Sequence, residues 1–274
     1  MSDDSTPKFR LWKYEPSVAA AAIFMVLFIG TTFLHVYQMI RKRSLFFVPL
    51  VIGGLFEFLG YLGRILAHND QTSLSFYIMQ TLLLLVAPAL FAASIYMILG
   101  RMIAHTKAES LAPIRRTWLT KIFVLGDVFS FLVQAGGGGL LARASSQETG
   151  KRIVVVGLFI QIVMFGVFMI TSGILHRRLS STPTNASLST PWRKYMYSLY
   201  FASALILIRS IFRVAEFLGG PTGTLMTHEV YLYIFDGVLM FGTMVVFNVV
   251  HPGNLIGTKQ LTDETELNNG SDSR

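Results

Sequence analysis

Ten polar side chains set inside apolar runs are the residues of this chain best suited to chemistry. In the stretch 205–216, Arg209, Arg213 and Glu216 fall on one face of a helix at about 100° per residue, with Leu207, Ile211, Val214 and Leu218 on the others. Three further apolar runs carry polar pairs at a seven-residue spacing: Glu57 and Arg64, Asp127 and Gln134, Glu229 and Asp236. Gln80 stands in another. A charged group at membrane depth costs roughly 2.5–3.5 kcal/mol, so such groups turn inward and pair with one another or with a ligand. Five carboxylates (Glu57, Asp127, Glu216, Glu229, Asp236) face three arginines (Arg64, Arg209, Arg213), a surplus of two negative charges. A cationic amphiphile suits that surplus, its amine standing in for the missing arginines and its tail lying among Phe and Leu. Alternatively, one or two carboxylates carry protons and couple transport to them, since removing a carboxyl from water favours its neutral form.

The elements that must hold these residues are membrane helices. The chain is 53% hydrophobic and only 14% charged, against about 25% charged in soluble globular domains. Its mean hydropathy is +0.56. Apolar runs of helical length separated by short polar loops predict an all-α, polytopic, seven-transmembrane helix bundle, with spans near 17–40, 45–67, 74–100, 119–141, 152–175, 195–218 and 229–250. The expected division is an N-terminal tail 1–16, a membrane domain 17–250 and a polar, disordered tail 251–274.

Lys and Arg in the connections set the orientation. Eleven follow spans one, three and five (Arg41, Lys42, Arg43, Arg101, Lys107, Arg115, Arg116, Arg177, Arg178, Arg193 and Lys194), against three (Arg143, Lys151, Arg152) after the others. The N-terminus is therefore expected outside and the C-terminus in the cytoplasm. The net charge of +8 is read as this loop bias and not as a nucleic-acid footprint. In that topology eight of the ten polar residues fall in the outer half of the membrane, with Glu57 near the middle and Asp127 a little inward. They are expected either to line one polar cavity open to the exterior or to close into an ion-pair network that fixes helix register. The connection from Leu179 to Pro191, rich in Ser, Thr and Pro, is expected to be disordered.

Other chemistries have weaker footing. There is no cysteine, so thiol catalysis and Cys-ligated zinc are excluded. Gly136 to Gly139 lack the Lys and Ser/Thr of a phosphate loop; they suggest a close helix approach or a bend. No nucleotide or cofactor motif is present, and no Ser-His-Asp or Gly-x-Ser-x-Gly arrangement. His35, His176 and His251, at the cytoplasmic ends of three spans, offer a zinc hydrolase reading, with no HExxH pairing to support it. A faint repeat relates Glu57-Phe58-Leu59-Gly60 to Glu216-Phe217-Leu218-Gly219, and Tyr77-Ile78-Met79-Gln80 to Tyr233-Ile234-Phe235-Asp236. If it reflects two parallel halves, a binding site belongs between them.

Several motifs in order carry a resemblance. Glu57-Phe58-Leu59-Gly60-Tyr61 with Arg64, Gln80 with Ala87-Pro88 and Ala92-Ala93-Ser94-Ile95-Tyr96, Asp127 through Gln134 to the glycines, Gln161, Arg209 with Phe212-Arg213-Val214-Ala215-Glu216, Glu229 with Asp236, and His251-Pro252-Gly253 resemble the fungal lipid-translocating exporter family. The likeness runs from about Tyr14 to Gly253. It implies a seven-helix plasma-membrane protein that exports or flips sphingoid bases and related cationic amphiphilic lipids and gives resistance to toxic amphiphiles. Its partners would be membrane lipids, with no nucleic acid and no cofactor. A seven-helix lipid or stress sensor is the alternative. In the transporter reading the substrate-binding residues are Glu57, Arg64, Gln80, Asp127, Gln134, Arg209, Arg213, Glu216, Glu229 and Asp236, with no catalytic or metal-binding residue.

Overall fold

The computed structural model describes residues 17–69, 74–141, 146–219, 223, 225 and 228–253. The expected tails, 1–16 and residues 254–274, lie outside them, as do Arg143 and the side chains of Tyr77 and Ile78. The described residues are all-helical: α1 (Val18–Arg41), α2 (Val48–Asn69), α3 (Leu74–His105), α4 (Arg116–Leu141), α5 (Gln147–Ser181), the four-residue α6 (Asn185–Leu188), α7 (Trp192–Gly219) and α8 (Glu229–Val249). A 3-10 turn, Leu45–Phe47, leads into α2. Six of these helices, all but α6 and α7, are long and apolar enough to cross a membrane. At 28 residues α7 is long enough as well, about 42 Å at 1.5 Å per residue, but it carries Arg209, Arg213 and Glu216 in its apolar stretch.

Each long helix packs on its neighbours in chain order, α7 packs on α3 and α5, and α8 returns to α1, so the bundle closes on itself. The centre is α3, which touches α2, α4 and α7 and is the most buried of the apolar helices. Side-chain polarity is inverted relative to a soluble bundle. Ile23, Phe33, Leu125, Phe129, Val163, Ile170, Phe201, Ile211 and Ile234 point outward, while Glu57, Arg64, Asp127, Arg209 and Asp236 are buried. That inversion is what a hydrocarbon solvent demands, because outward polar groups would find no partner there. The protein is an integral membrane protein.

Close approaches use small residues. Of the glycine run, a Cβ on Gly137 would lie 2.8 Å from the Gly150 carbonyl oxygen on α5, whereas Gly136, Gly138 and Gly139 face open space. The quartet thus marks an approach and not a bend, since α4 continues to Leu141.

The connection between α5 and α7 is ordered, contrary to expectation. Thr184 caps α6 by accepting from the Ser187 N–H, and its Oγ1 donates to the Thr106 carbonyl at 2.5 Å. Composition alone read these hydroxyls as loop; in the fold they satisfy backbone groups that water would otherwise take. Directly after α8, His251, Pro252 and Gly253 are buried. The His251 ring stacks on Phe47 at 4.8 Å, so these three residues belong to the bundle.

Candidate functional site: a buried charge network

The apolar residues around Arg209 and Arg213 force them inward, and α7 delivers them to the seam between α2, α3 and α8. Arg209 Nε is paired with Asp236 Oδ1, and its Nη2 donates to the Leu84 carbonyl at 2.6 Å. The second contact follows from sequence. Pro88 lies inside α3 and has no N–H, so the carbonyl four residues earlier, Leu84, loses its helical donor. Arg209 supplies the missing one. Asp236 sits in a π-helical turn, Tyr233–Val238, inside α8; such turns occur often at functional sites.

One helical turn toward the end where α1 begins, Arg213 Nη1 contacts Glu216 Oε2 at 2.8 Å. At that same end Arg64 Nη2 contacts Glu229 Oε1 at 2.7 Å. Glu229 also accepts from the Ser17 N–H at 2.8 Å and the Tyr233 hydroxyl at 2.9 Å. An aromatic stack of Phe24, Tyr61 and Tyr233 separates this pair from the one below it. A Cβ on Gly237 would lie 2.7 Å from the Tyr61 hydroxyl, so only glycine admits that ring.

Three arginines therefore take three carboxylates, which assigns the surplus of two. Asp127 is one; its Oδ2 accepts from the Tyr96 hydroxyl at 2.8 Å. Glu57 is the other, with 0% exposure and no hydrogen-bond partner for either carboxylate oxygen among the described residues. Its strongest charged neighbours are Asp236, Arg209 and Arg213. Among the described residues it is a buried carboxylate with neither a hydrogen bond nor a salt bridge, set beside an ion-pair network.

The structure does not gather all ten predicted residues around one chamber. Glu57, Arg64, Arg209, Arg213, Glu216, Glu229 and Asp236 form the network on α2, α7 and α8. Asp127 with Tyr96 and Gln134 with Gln161, the latter at 3.1 Å, are two separate pairs that tie α4 to α3 and to α5. Gln80 is buried on α3, and its Oε1 has no partner among the described residues. Pockets of about 420 and 410 Å³ lie at the α5–α7 connection and on the outer face of α5, and neither includes any of the ten. The paired charges face one another, and neither of these two pockets opens onto them. Sequence reasoning missed Tyr61, Tyr96, Tyr233 and the Leu84 carbonyl as members of these groups; Pro88 was the available signal for the last.

The histidines do not converge. His35 and His251 lie 6.5 Å apart, ring centre to ring centre, while His176 stacks on Tyr200. No group of three His, Asp or Glu side chains placed to hold a metal occurs among the described residues.

The RTA1 like protein family model matches residues 50–259. The chain belongs to the RTA1-like family. It is 39% identical to Protein RTA1 of Saccharomyces cerevisiae over 89% of this chain and 85% of that one. It is 37% identical to Protoporphyrin uptake protein 1 of the same species, over 88% and 91%. It is 27% identical to the sphingoid long-chain base transporter RSB1 from that yeast, over 80% and 67%. No solved structure matches. The RTA1-like match runs from α2 past the end of α8 and so contains every member of the charge network.

Proposed function

We propose that this RTA1-like protein is an ATP-independent transporter of a single-tailed cationic amphiphile of the sphingoid-base class, acting in the plasma membrane. In this reading α7 is the sixth of seven spans and α8 the last, the N-terminus is outside, and the network on α2, α7 and α8 receives the head group. The observation that carries the proposal is Glu57. An ionised carboxylate without a partner is costly in a dry interior, and either a proton or a cation removes the cost. A primary ammonium offers three donors to those two free oxygens. Each of the three arginines keeps its own carboxylate, so the incoming amine displaces none of them. Gln80, Asp127 and Gln134 complete the polar lining of the path in the open state. The name of one relative, a sphingoid long-chain base transporter, supports the substrate class.

The test is a proteoliposome assay with fluorescent sphingosine. Purified protein should speed transfer between leaflets at least about tenfold over protein-free vesicles, the effect of one charge-assisted pair worth roughly 1.5–3 kcal/mol. Transfer at the protein-free rate ends the transporter reading. A lipid sensor is the second reading, favoured by the closed state of the network and by pockets that lie elsewhere. It predicts saturable sphingosine binding with no accelerated transfer.

A further inference from the structure

A site outside the charge network stands at the opposite end of the bundle, where α5 finishes and α7 begins. The ordered connection there walls a pocket of about 420 Å³ lined by Leu179, Pro183, Leu188, Trp192, Arg193 and Lys194, among others. Arg193 and Lys194 are exposed, and among the described residues neither forms a salt bridge. The sequence places no carboxylate between Glu148, in the first turn of α5 at its other end, and Glu216, so nothing on the rest of α5, on α6 or on the start of α7 competes for these cations. The neighbouring α3–α4 connection adds Lys107, Arg115 and Arg116 against one acid, Glu109, which contacts Arg116 at 3.6 Å.

The apolar side of the pocket is equally specific. Leu188, on α6, is 74% exposed. Trp192 is buried beneath the Arg193 guanidinium, 5.7 Å from its ring centre. Tyr197, one turn further along α7, also faces outward. A large aliphatic side chain, a Trp, a Tyr and two cations without a salt bridge at the mouth of a span are the composition of a membrane interface. Cations there meet the phosphates of anionic lipids. The wall is preformed, because Thr184 is fastened to the Thr106 carbonyl and Arg178 donates to the Leu111 carbonyl at 3.2 Å.

We propose that this pocket binds the phosphate head group of an anionic phospholipid, with Arg193 and Lys194 on the phosphate and Leu188 seated among the acyl chains. The site anchors the α5–α7 connection to the leaflet, and it is independent of the cargo received by Glu57.

Native mass spectrometry of the full-length protein in detergent tests this with added phosphatidylserine, phosphatidylcholine or inorganic phosphate. The wild-type protein should retain phosphatidylserine over phosphatidylcholine. Each cation at an anionic surface contributes a factor of about five, so R193Q/K194Q should lose that preference by roughly tenfold or more. The K107Q/R115Q control, at the same bundle end but outside the pocket, should keep it. The assignment fails if the wild-type protein shows no preference, if R193Q/K194Q keeps it, or if the control loses it equally. Displacement of phosphatidylserine by millimolar inorganic phosphate would also overturn it, identifying a free-anion site in place of a lipid one.

Discussion

At the scale of single residues, burial and partnership decide what each charge is worth. Arg209 and Arg177 are both arginines on long helices, yet Arg209 is 1% exposed and holds Asp236 and the Leu84 carbonyl, while Arg177 faces outward. Arg209→Leu strands a buried carboxylate and should lower stability by about 3–5 kcal/mol. Arg177→Leu should change it by less than about 0.5 kcal/mol. Thermal unfolding in detergent compares them, and equal melting points would refute the placement of Arg209. His251, beyond the last membrane helix, tests burial through pH. Removal from water by burial, then the nearby Lys42 and His35, hold its pKa down to about 4 from 6.5. The unfolded chain therefore takes up a proton near pH 6.5 and the folded one only near 4, so the contribution is complete above 6.5 and lost as pH falls through that window. His251→Asn should flatten the fall in melting temperature between pH 7 and 4. An unchanged pH profile in the variant would show that His251 is not its source.

At the scale of elements, the bundle rests on helices whose interruptions are matched by partners. Pro88 opens α3 at the Leu84 carbonyl and Arg209 closes it from α7. This coupling has a measurable form. In a Pro88→Ala background the alanine N–H satisfies Leu84, so Arg209→Leu should cost about 1 kcal/mol less than in the wild-type chain. Additive costs in that double-mutant cycle would show that the carbonyl contact contributes nothing. The helices themselves were legible in the sequence, because long apolar runs bounded by charged loops leave few alternatives. Their inward faces were legible too, since Arg209, Arg213 and Glu216 share a face at helical spacing. Partnership was not. Periodicity fixes which way a side chain points around its own axis but not which helix stands opposite, so Asp127 meeting Tyr96, and Gln134 meeting Gln161, required the packed bundle. The α5–α7 connection was misread for a related reason, its order coming from a contact with the Thr106 carbonyl 78 residues away.

At the scale of the whole molecule, the described helices form a closed bundle around α3 that is apolar outside and charged along one inner seam, near the end where α1 begins. Because the chain has no cysteine, introduced ones report orientation on a clean background. Ser189→Cys, in the basic connection, should react with an impermeant maleimide only after the cells are permeabilised, and Ser5→Cys in intact cells. The reverse pattern would invert the topology. The family likeness was readable from the order of motifs along the chain. The location of the charge surplus was not: the polar stripes hold five acids against three arginines, and only the three-dimensional pairing singles out Glu57 as the one of the five with no hydrogen bond or salt bridge among the described residues. The measurement that bears most directly on the account is sphingosine transfer in proteoliposomes by Glu57→Gln beside wild type. The glutamine variant should fold with an unchanged or higher melting point, since it removes an unpaired buried charge, and transfer should fall to the protein-free rate. A folded Glu57→Gln protein that moves sphingosine as fast as wild type would contradict the account.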